Sequence, residues 1–185
     1  MTPTKNILVV GTAHDFQNVG NPWEQQFREM LTSVVNTYDI QIILEEWNEN
    51  RGTAIGSTLA NDHLKWENVG TPSSPEYNTF VGWINNEYNP QQPTYLYFRE
   101  YPFDIQEKRE QFMMKRITDL MAGYDKGLFV VGMDHLHSCM AKLREAGFEV
   151  VGGNWLRIPD TAKNVECSNC HELVAVRVER DAKVS

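Results

Sequence analysis

Two histidines follow glycines at the same spacing near opposite ends of the chain. Gly11 precedes His14 and Gly132 precedes His135, so that each pair reads Gly-x-x-His directly after a run of Val, Ile, Leu or Phe. A short apolar run of this kind is typical of a strand buried on both faces of a parallel sheet, and the glycine allows a sharp turn after it. Open α/β sheets build their sites at the carboxyl ends of the strands. The pattern therefore predicts two imidazoles over one cleft.

Four further polar residues follow predicted strands and would reach the same edge: Glu45, Glu46, Arg99 and His137. Neutral imidazole and ionised carboxylate together suit Zn²⁺, Mn²⁺, Fe²⁺ or Co²⁺, and an open metal site can activate water near neutral pH. An arginine beside such a site would hold an anionic substrate or a developing oxyanion. Without a metal, the same groups could act as a His/Glu general-base pair. The candidate metal ligands are His14, Glu45, Glu46, His135 and His137.

Each candidate also has an ordinary structural interpretation. A lone histidine after a strand is more often a hydrogen-bonded core or capping residue, and Arg99 could form a surface ion pair. Because successive side chains of a strand point to opposite faces, at most one of Glu45 and Glu46 enters a given cleft, and we favour Glu45. His137 would share a side with His135 if the chain is still extended there, and would otherwise begin the next helix.

The segments between these residues alternate between helix and strand patterns. Apolar residues at helical spacing predict a helix from Asn21-Pro22 to about Thr37, and residues 40–44 predict a second strand. The remaining predicted elements are strands over residues 94–98, 128–131 and 148–151 and helices over residues 104–123 and 136–146. This order favours right-handed crossovers, and it predicts an α/β fold with a mostly parallel central sheet flanked by helices.

The predicted domain organisation is one α/β domain over residues 1–158 followed by an appendage over residues 159–185. A length of 185 residues supports one good core rather than two ordinary domains. Residues 48–92 are polar and rich in Gly and Pro, with short helical patterns only over 56–66 and 76–87, and we interpret them as a lid-like insertion. The appendage has two short apolar-alternating pieces around a turn, which predicts a hairpin-like tail.

The net charge of -8 and the isoelectric point of about 5.1 argue against nucleic acid and anionic lipid as partners, because no basic run overrides the acidic field. No stretch approaches the length of a membrane span, and no signal peptide is recognisable. Three cysteines, an odd number, do not make a disulfide framework, so the cytoplasm is the expected compartment. The expected partner is a small-molecule or peptide substrate.

The tail carries a second candidate site in Cys167, Cys170 and His171. Cys-x-x-Cys-His matches the c-type haem attachment pattern, but covalent haem normally belongs to exported proteins, so haem is not favoured. A zinc ion would need a fourth ligand beyond these three, or two tails paired in a homodimer. The alternative is a reduced cysteine pair on an exposed turn.

Four short segments together resemble one known superfamily, which includes TraB and TIKI proteins, ChaN-like haem/iron proteins and erythromycin esterases. Residues 9–14 (VVGTAH) are similar to its opening Gly-x-x-His, and residues 43–46 (ILEE) to the acidic end of its second strand. Residues 109–113 (REQFM) resemble a helix segment of the TraB branch, and residues 129–136 (FVVGMDHL) the closing Val-Val-Gly-x-x-His-Leu. In order, the resemblance spans residues 6 to 151.

The resemblance implies an α/β core and, in the TIKI branch, metal-dependent hydrolysis of peptides, whereas the esterase relatives use His and Glu without an agreed metal. Carried over by position, it implies His14, Glu45 and His135 as site residues and Arg109 as a partner on a helix. We therefore expect a hydrolase of a peptide or ester, with a divalent metal (Mn, Co, Zn or Fe). The alternative is a non-catalytic protein on the same fold that binds a metal, haem or a small ligand. A nucleotide-type binder is less favoured, because no Gly-x-Gly-x-x-Gly or P-loop follows any strand.

Overall fold

A computed structural model describes residues 5–47, 52–71 and 103–155, together with the two short segments 165–166 and 173–174. Its strands are β1 (Asn6–Thr12), β2 (Ile42–Glu45), β3 (Lys65–Asn68), β4 (Lys126–Gly132), β5 (Glu149–Asn154), β6 (Val165–Glu166) and β7 (Leu173–Val174). Its helices are α1 (Glu24–Tyr38), α2 (Phe103–Met121) and α3 (Leu136–Glu145). β1 to β5 form one parallel sheet in the order β3-β2-β4-β1-β5. The predicted α/β fold with a parallel sheet is confirmed.

The two strands that precede the histidines lie side by side at the centre of the sheet. β1 pairs with β4 along its whole length, with Gly11 opposite Val131 and Thr12 opposite Gly132. β4 also pairs with β2 on its other side, so three carboxyl ends lie in a row. Central parallel strands are covered on both faces, which explains why β1 and β4 read as nearly continuous apolar runs.

Side chains alternate between two separate cores on the two faces of the sheet. Ile42 and Leu44 of β2 pack into a core with buried residues of α2 and α3, whereas Ile43 packs into a second core with Phe27 and Leu31 of α1. The period of two along a strand fixes this division. Glu46, two residues after Leu44, therefore belongs to the side of α2 and α3, and Glu45 to the side of α1.

The edge strand β3 was not predicted. The prediction of a helix over residues 56–66 is correct only for a 3₁₀ turn over Gly56–Leu59, and Lys65–Asn68 instead pairs in parallel with β2. The sequence Lys-Trp-Glu-Asn is too polar to be recognised as a strand without its neighbour. Part of the segment interpreted as a lid thus belongs to the sheet, while the predicted helix 76–87 and strand 94–98 lie outside the described residues.

The short strands β6 and β7 pair in an antiparallel manner, with Val165 opposite Val174, which agrees with the predicted hairpin-like tail. The turn residues Cys167, Cys170 and His171 lie outside the described residues. Within the described ranges, no helix is both long enough and apolar enough to cross a membrane.

Candidate functional site

Three neighbouring strands place polar side chains at one edge of the sheet. His14 begins a 3₁₀ turn directly after β1, and His135 ends the 3₁₀ turn that follows β4. Glu46 follows β2, and its backbone N–H donates to the carbonyl oxygen of Val130 in β4 at 2.8 Å. Because β4 lies between the other two strands, His14 and Glu46 approach its carboxyl end from opposite sides.

The carboxylate of Glu46 is the centre of this cluster. Its Oε1 accepts a hydrogen bond from Nη2 of Arg109 at 2.6 Å, and its Oε2 accepts one from the backbone N–H of Gly132 at 2.9 Å. Nε2 of His135 lies 3.6 Å from Oε1, and Nε2 of His14 lies 3.8 Å from Oε2. Each oxygen thus has one firm donor and one imidazole nitrogen at ion-pair distance.

The surroundings of Glu46 keep it ionised. Burial alone would raise the pKa of this carboxyl group, but the positive charges available on His135, His14 and Arg109, with the N–H of Gly132, outweigh burial and lower the pKa to about 2. The group is therefore a fixed negative charge in an interior where its side chain is only 4% exposed.

Each histidine is held at Nδ1 by a separate acceptor. Nδ1 of His14 lies 2.8 Å from Oε1 of Gln17, and Nδ1 of His135 lies 2.9 Å from Oε1 of Glu110. An amide carbonyl and an ionised carboxylate only accept, so both partners favour a proton on Nδ1. In a neutral ring, Nε2 then carries a lone pair on the side of Glu46. The His14 side chain is 34% exposed and that of His135 only 5%, so His14 is the more accessible of the two.

Glu110 is itself held by a hydrogen-bonded network between α2 and α3. It accepts from Ser138 and from Nζ of Lys142, the latter at 3.0 Å, and Lys142 also donates to Glu107 at 3.0 Å. Burial opposes ionisation of Glu110, yet hydrogen bonds from His135, Ser138 and Lys142 lower its pKa. The carboxylate therefore stays ionised and can orient His135.

Ser138 and Lys142 lie one helical turn apart, a spacing that a serine–lysine nucleophile pair could also use. Burial lowers the pKa of Lys142, but its hydrogen bonds to Glu110 and Glu107 outweigh this and raise the pKa overall. A protonated ammonium cannot take a proton from Ser138, which donates to Glu110 instead. The pair therefore belongs to the support of His135 rather than to a nucleophile.

Glu45, which the sequence analysis favoured over Glu46, lies on the other face of the sheet. Its side chain is fully buried, and its Oε2 accepts from Nε1 of Trp66 at 2.7 Å and from the N–H of Gly56. A Cβ on Gly56 would lie 2.3 Å from that oxygen, so only glycine allows this approach. Burial outweighs the two hydrogen bonds and raises the pKa of Glu45 to about 7. Glu46, and not Glu45, is therefore the carboxylate that lies beside the histidines.

The structure brings only some of the predicted residues together. His14, Glu46, His135 and Arg109 meet, whereas His137 is exposed in the first turn of α3. His135 and His137 do not share a side, because the chain has already turned from a strand into a 3₁₀ turn and then a helix. Arg99, Cys167, Cys170 and His171 lie outside the described residues.

Four residues that contact the histidines or their support were not predicted from the sequence: Gln17, Glu110, Ser138 and Lys142. Two weak signals were available. Gln17 stands three residues after His14, where a 3₁₀ turn brings the side chains together, and Ser138 and Lys142 have the i, i+4 spacing of helical neighbours. The contact of Glu110 with His135 joins two distant segments, and local spacing does not reveal it.

The cluster lacks the set of donors that a metal ion needs. Among the described residues, no three or more His, Cys, Asp or Glu side chains form a group that could hold one. Both oxygens of Glu46 already accept hydrogen bonds, one of them from a guanidinium group that would repel a cation. In this arrangement, the residues of the cluster therefore do not fit a metal centre.

The fold and the cluster define an α/β protein with a buried, histidine-flanked carboxylate at the carboxyl edge of a five-stranded parallel sheet. No family model matches the chain, and neither a curated protein nor a solved structure matches it. The resemblance to the TraB, TIKI, ChaN and erythromycin esterase superfamily therefore stays a prediction.

Gly132 allows the close approach of His14 to Glu46. A Cβ at this position would lie 2.8 Å from Nε2 of His14 and 3.3 Å from Oε2 of Glu46. We expect Gly132→Ala to displace His14 and to lower the free energy of unfolding by about 1–3 kcal/mol, measured by urea denaturation. Gly153→Ala is the control, because nothing lies within 4 Å of its added Cβ. Equal stability of the two variants would contradict the close approach.

The raised pKa of Glu45 predicts a pH-dependent stability. The pKa of Glu45 is near its ordinary value of 4.5 in the unfolded chain but about 7 in the folded protein. The contribution of Glu45 to stability is therefore fully present below pH 4.5 and is lost as the pH rises to about 7. Glu45→Gln lacks this loss. The free energy of unfolding of the variant, relative to that of the parent protein, should therefore rise by on the order of 2 kcal/mol between pH 5 and pH 8.5, measured by urea denaturation. A difference that does not change with pH would show that Glu45 titrates normally.

Proposed function

We propose that the chain is a hydrolase in which His14 activates a water molecule for attack on the carbonyl carbon of an ester or peptide. One observation carries the proposal: two imidazole Nε2 atoms lie 3.6 and 3.8 Å from the two oxygens of one buried carboxylate. Each ring is also held at Nδ1 by a second side chain. An imidazole whose Nδ1 is held by an acceptor can take a proton at Nε2, as a general base must.

In the proposed reaction, Nε2 of His14 takes a proton from water as the water oxygen forms a bond to the carbonyl carbon. The tetrahedral intermediate then expels the alcohol or amine, which receives the same proton from the His14 imidazolium. The products are a carboxylic acid and an alcohol or amine, and the imidazole returns to its neutral form. The ionised Glu46 stabilises the imidazolium between these two steps, because its Oε2 lies 3.8 Å from the protonated nitrogen.

The other residues of the cluster position this pair. Arg109 holds the Glu46 carboxylate from the side of α2, at 2.6 Å, and prevents it from rotating away. His135 is 5% exposed and lies at the opposite oxygen of Glu46, so we assign it a positioning role, with Glu110 as its support. Among the described residues of the cluster, His14 has the most exposed side chain, at 34%, and it is the one that would touch a substrate.

A non-catalytic ligand-binding protein is the second candidate. The low exposure of Glu46 and His135, 4% and 5%, favours it, because the charges of the cluster satisfy one another and could serve to stabilise the fold. Both candidates place the ligand at the exposed face of His14.

The hydrolase proposal is tested with His14→Ala on a panel of chromogenic esters and short peptides. We expect kcat/KM to fall by about 10²- to 10⁴-fold, the usual contribution of a general base. His137→Ala is the matched control, because it removes an exposed imidazole on the adjacent helix, and it should keep the parent activity. Equal activity of the His14→Ala variant and the parent would contradict the role of His14. No turnover by the parent, with thermal stabilisation by a panel compound, would favour the binding protein.

The dependence on a divalent metal is tested separately. Since the proposed step uses only protein groups, activity should survive dialysis against a chelator, and metal analysis should give the same content for the parent and a His14→Ala/His135→Ala variant. Activity lost on chelation and restored by Mn²⁺, Co²⁺, Zn²⁺ or Fe²⁺, with metal lost from the double variant, would support the metal-dependent mechanism implied by the superfamily resemblance.

A further inference from the structure

Two buried polar atoms on the α1 side of the sheet have complementary character. Gln17 is fully buried, and its Oε1 accepts from His14 while its Nε2, a donor, has no hydrogen-bond partner among the described residues. The Oε1 of Glu45, an acceptor when ionised, is also buried without a partner in the described part of the chain. A buried polar group without a hydrogen-bond partner lowers the stability of the fold by roughly 1–3 kcal/mol, so a hydrogen bond to either atom would be stabilising.

The backbone of residues 55 and 56 contacts both Gln17 and Glu45. The N–H of Ile55 donates to the carbonyl oxygen of Gln17 at 2.7 Å. The next N–H along the chain, that of Gly56, donates to the carboxyl group of Glu45. Two consecutive amides therefore hold the two residues, and one of them carries the unpaired donor and the other the unpaired acceptor. A hydrogen bond from Nε2 of Gln17 to Oε1 of Glu45 would satisfy both atoms at once.

We propose that Gln17 is a positioning residue that connects Glu45 to His14 through hydrogen bonds and thereby fixes the proton of His14 on Nδ1. An ionised Glu45 needs a donor and attracts the NH₂ end of the Gln17 amide. The carbonyl end must then point to His14, where it accepts the proton of Nδ1. The basic nitrogen Nε2 is consequently the one that lies beside Glu46. The catalytic meaning of this tautomer rests on the proposed function, but the hydrogen-bond connection does not.

A substitution can reverse the polarity of this connection without a change of shape. In Glu45→Gln, Trp66 and Gly56 both donate to the Oε2 position, so the amide oxygen must take that place and the NH₂ group must replace Oε1. The Gln17 amide then meets a donor and turns its own oxygen towards position 45. Its NH₂ group would face His14 and favour the tautomer with the proton on Nε2.

The test is the ¹⁵N chemical shift of the His14 ring nitrogens at pH 8.5, measured by NMR with ¹⁵N-labelled histidine and assigned with His14→Ala. In the parent protein we expect a protonated Nδ1, and in Glu45→Gln an unprotonated Nδ1 and a protonated Nε2. The double variant Glu45→Gln/Gln17→Glu should return the proton to Nδ1, because a carboxylate at position 17 accepts from both neighbours. A Glu45→Gln protein that keeps the parent tautomer would overturn the proposal, as would a double variant that does not restore it.

Gln17→Met tests the role of Gln17 if the Glu45→Gln variant does not fold. Gln17→Met has a similar size but removes the amide, and we expect its His14 to populate both tautomers. A single Nδ1-protonated tautomer in this variant would show that Gln17 does not hold the proton. Because the readout is a ring-nitrogen shift rather than turnover, it is independent of hydrolysis. If the tautomer of His14 does not change in Glu45→Gln while the parent protein hydrolyses a substrate, only the role of Gln17 is overturned. If the tautomer changes as expected but the parent protein hydrolyses nothing, only the hydrolase proposal is overturned.

Discussion

The buried negative charge of Glu46 is the constraint on which the rest of the site depends. A carboxylate with 4% exposure is tolerated only if donors and positive charges replace the water that it has lost. Here they come from three places: the guanidinium of Arg109 on α2, the N–H of Gly132 at the end of β4, and the imidazoles that follow β1 and β4. Removal of any one would leave part of the charge uncompensated, so the helix, the turn and the strands are bound to one another through this group.

The two Gly-x-x-His motifs are similar in sequence but not equivalent in the sheet. Thr12, and not Gly11, lies opposite Gly132, so the two motifs are offset by one residue along neighbouring strands. The two histidines also differ in exposure: the His14 side chain is 34% exposed, whereas that of His135 is 5% exposed. One imidazole faces solvent across the carboxylate and the other lies within the protein. The repeated motif therefore supplies two roles rather than two copies of one role.

The strands and helices that carry this site could be predicted because their signals are local. Apolar runs predict β1 and β4, and helical spacing predicts α1 and α3. The choice between Glu45 and Glu46 could not be predicted, since it depends on which face of the sheet α2 and α3 cover, and two adjacent residues in a strand differ only in that respect. Strand β3 was missed for a related reason: its polar sequence acquires strand geometry only through pairing with β2.

Adjacent carboxyl groups with opposite pKa shifts show that burial alone does not determine ionisation. Glu45 and Glu46 are both removed from water, at 0% and 3% exposure, yet the pKa is raised to about 7 in one and lowered to about 2 in the other. The difference lies in their partners, because Glu45 meets only the neutral N–H groups of Trp66 and Gly56, whereas Glu46 meets a guanidinium and two imidazoles. The neutral donors offset part of the desolvation cost of Glu45, whereas the guanidinium of Arg109, together with the imidazoles when they are protonated, offsets all of the desolvation cost of Glu46. A single strand end can thus present a permanent negative charge on one face and a carboxyl group that titrates near neutrality on the other.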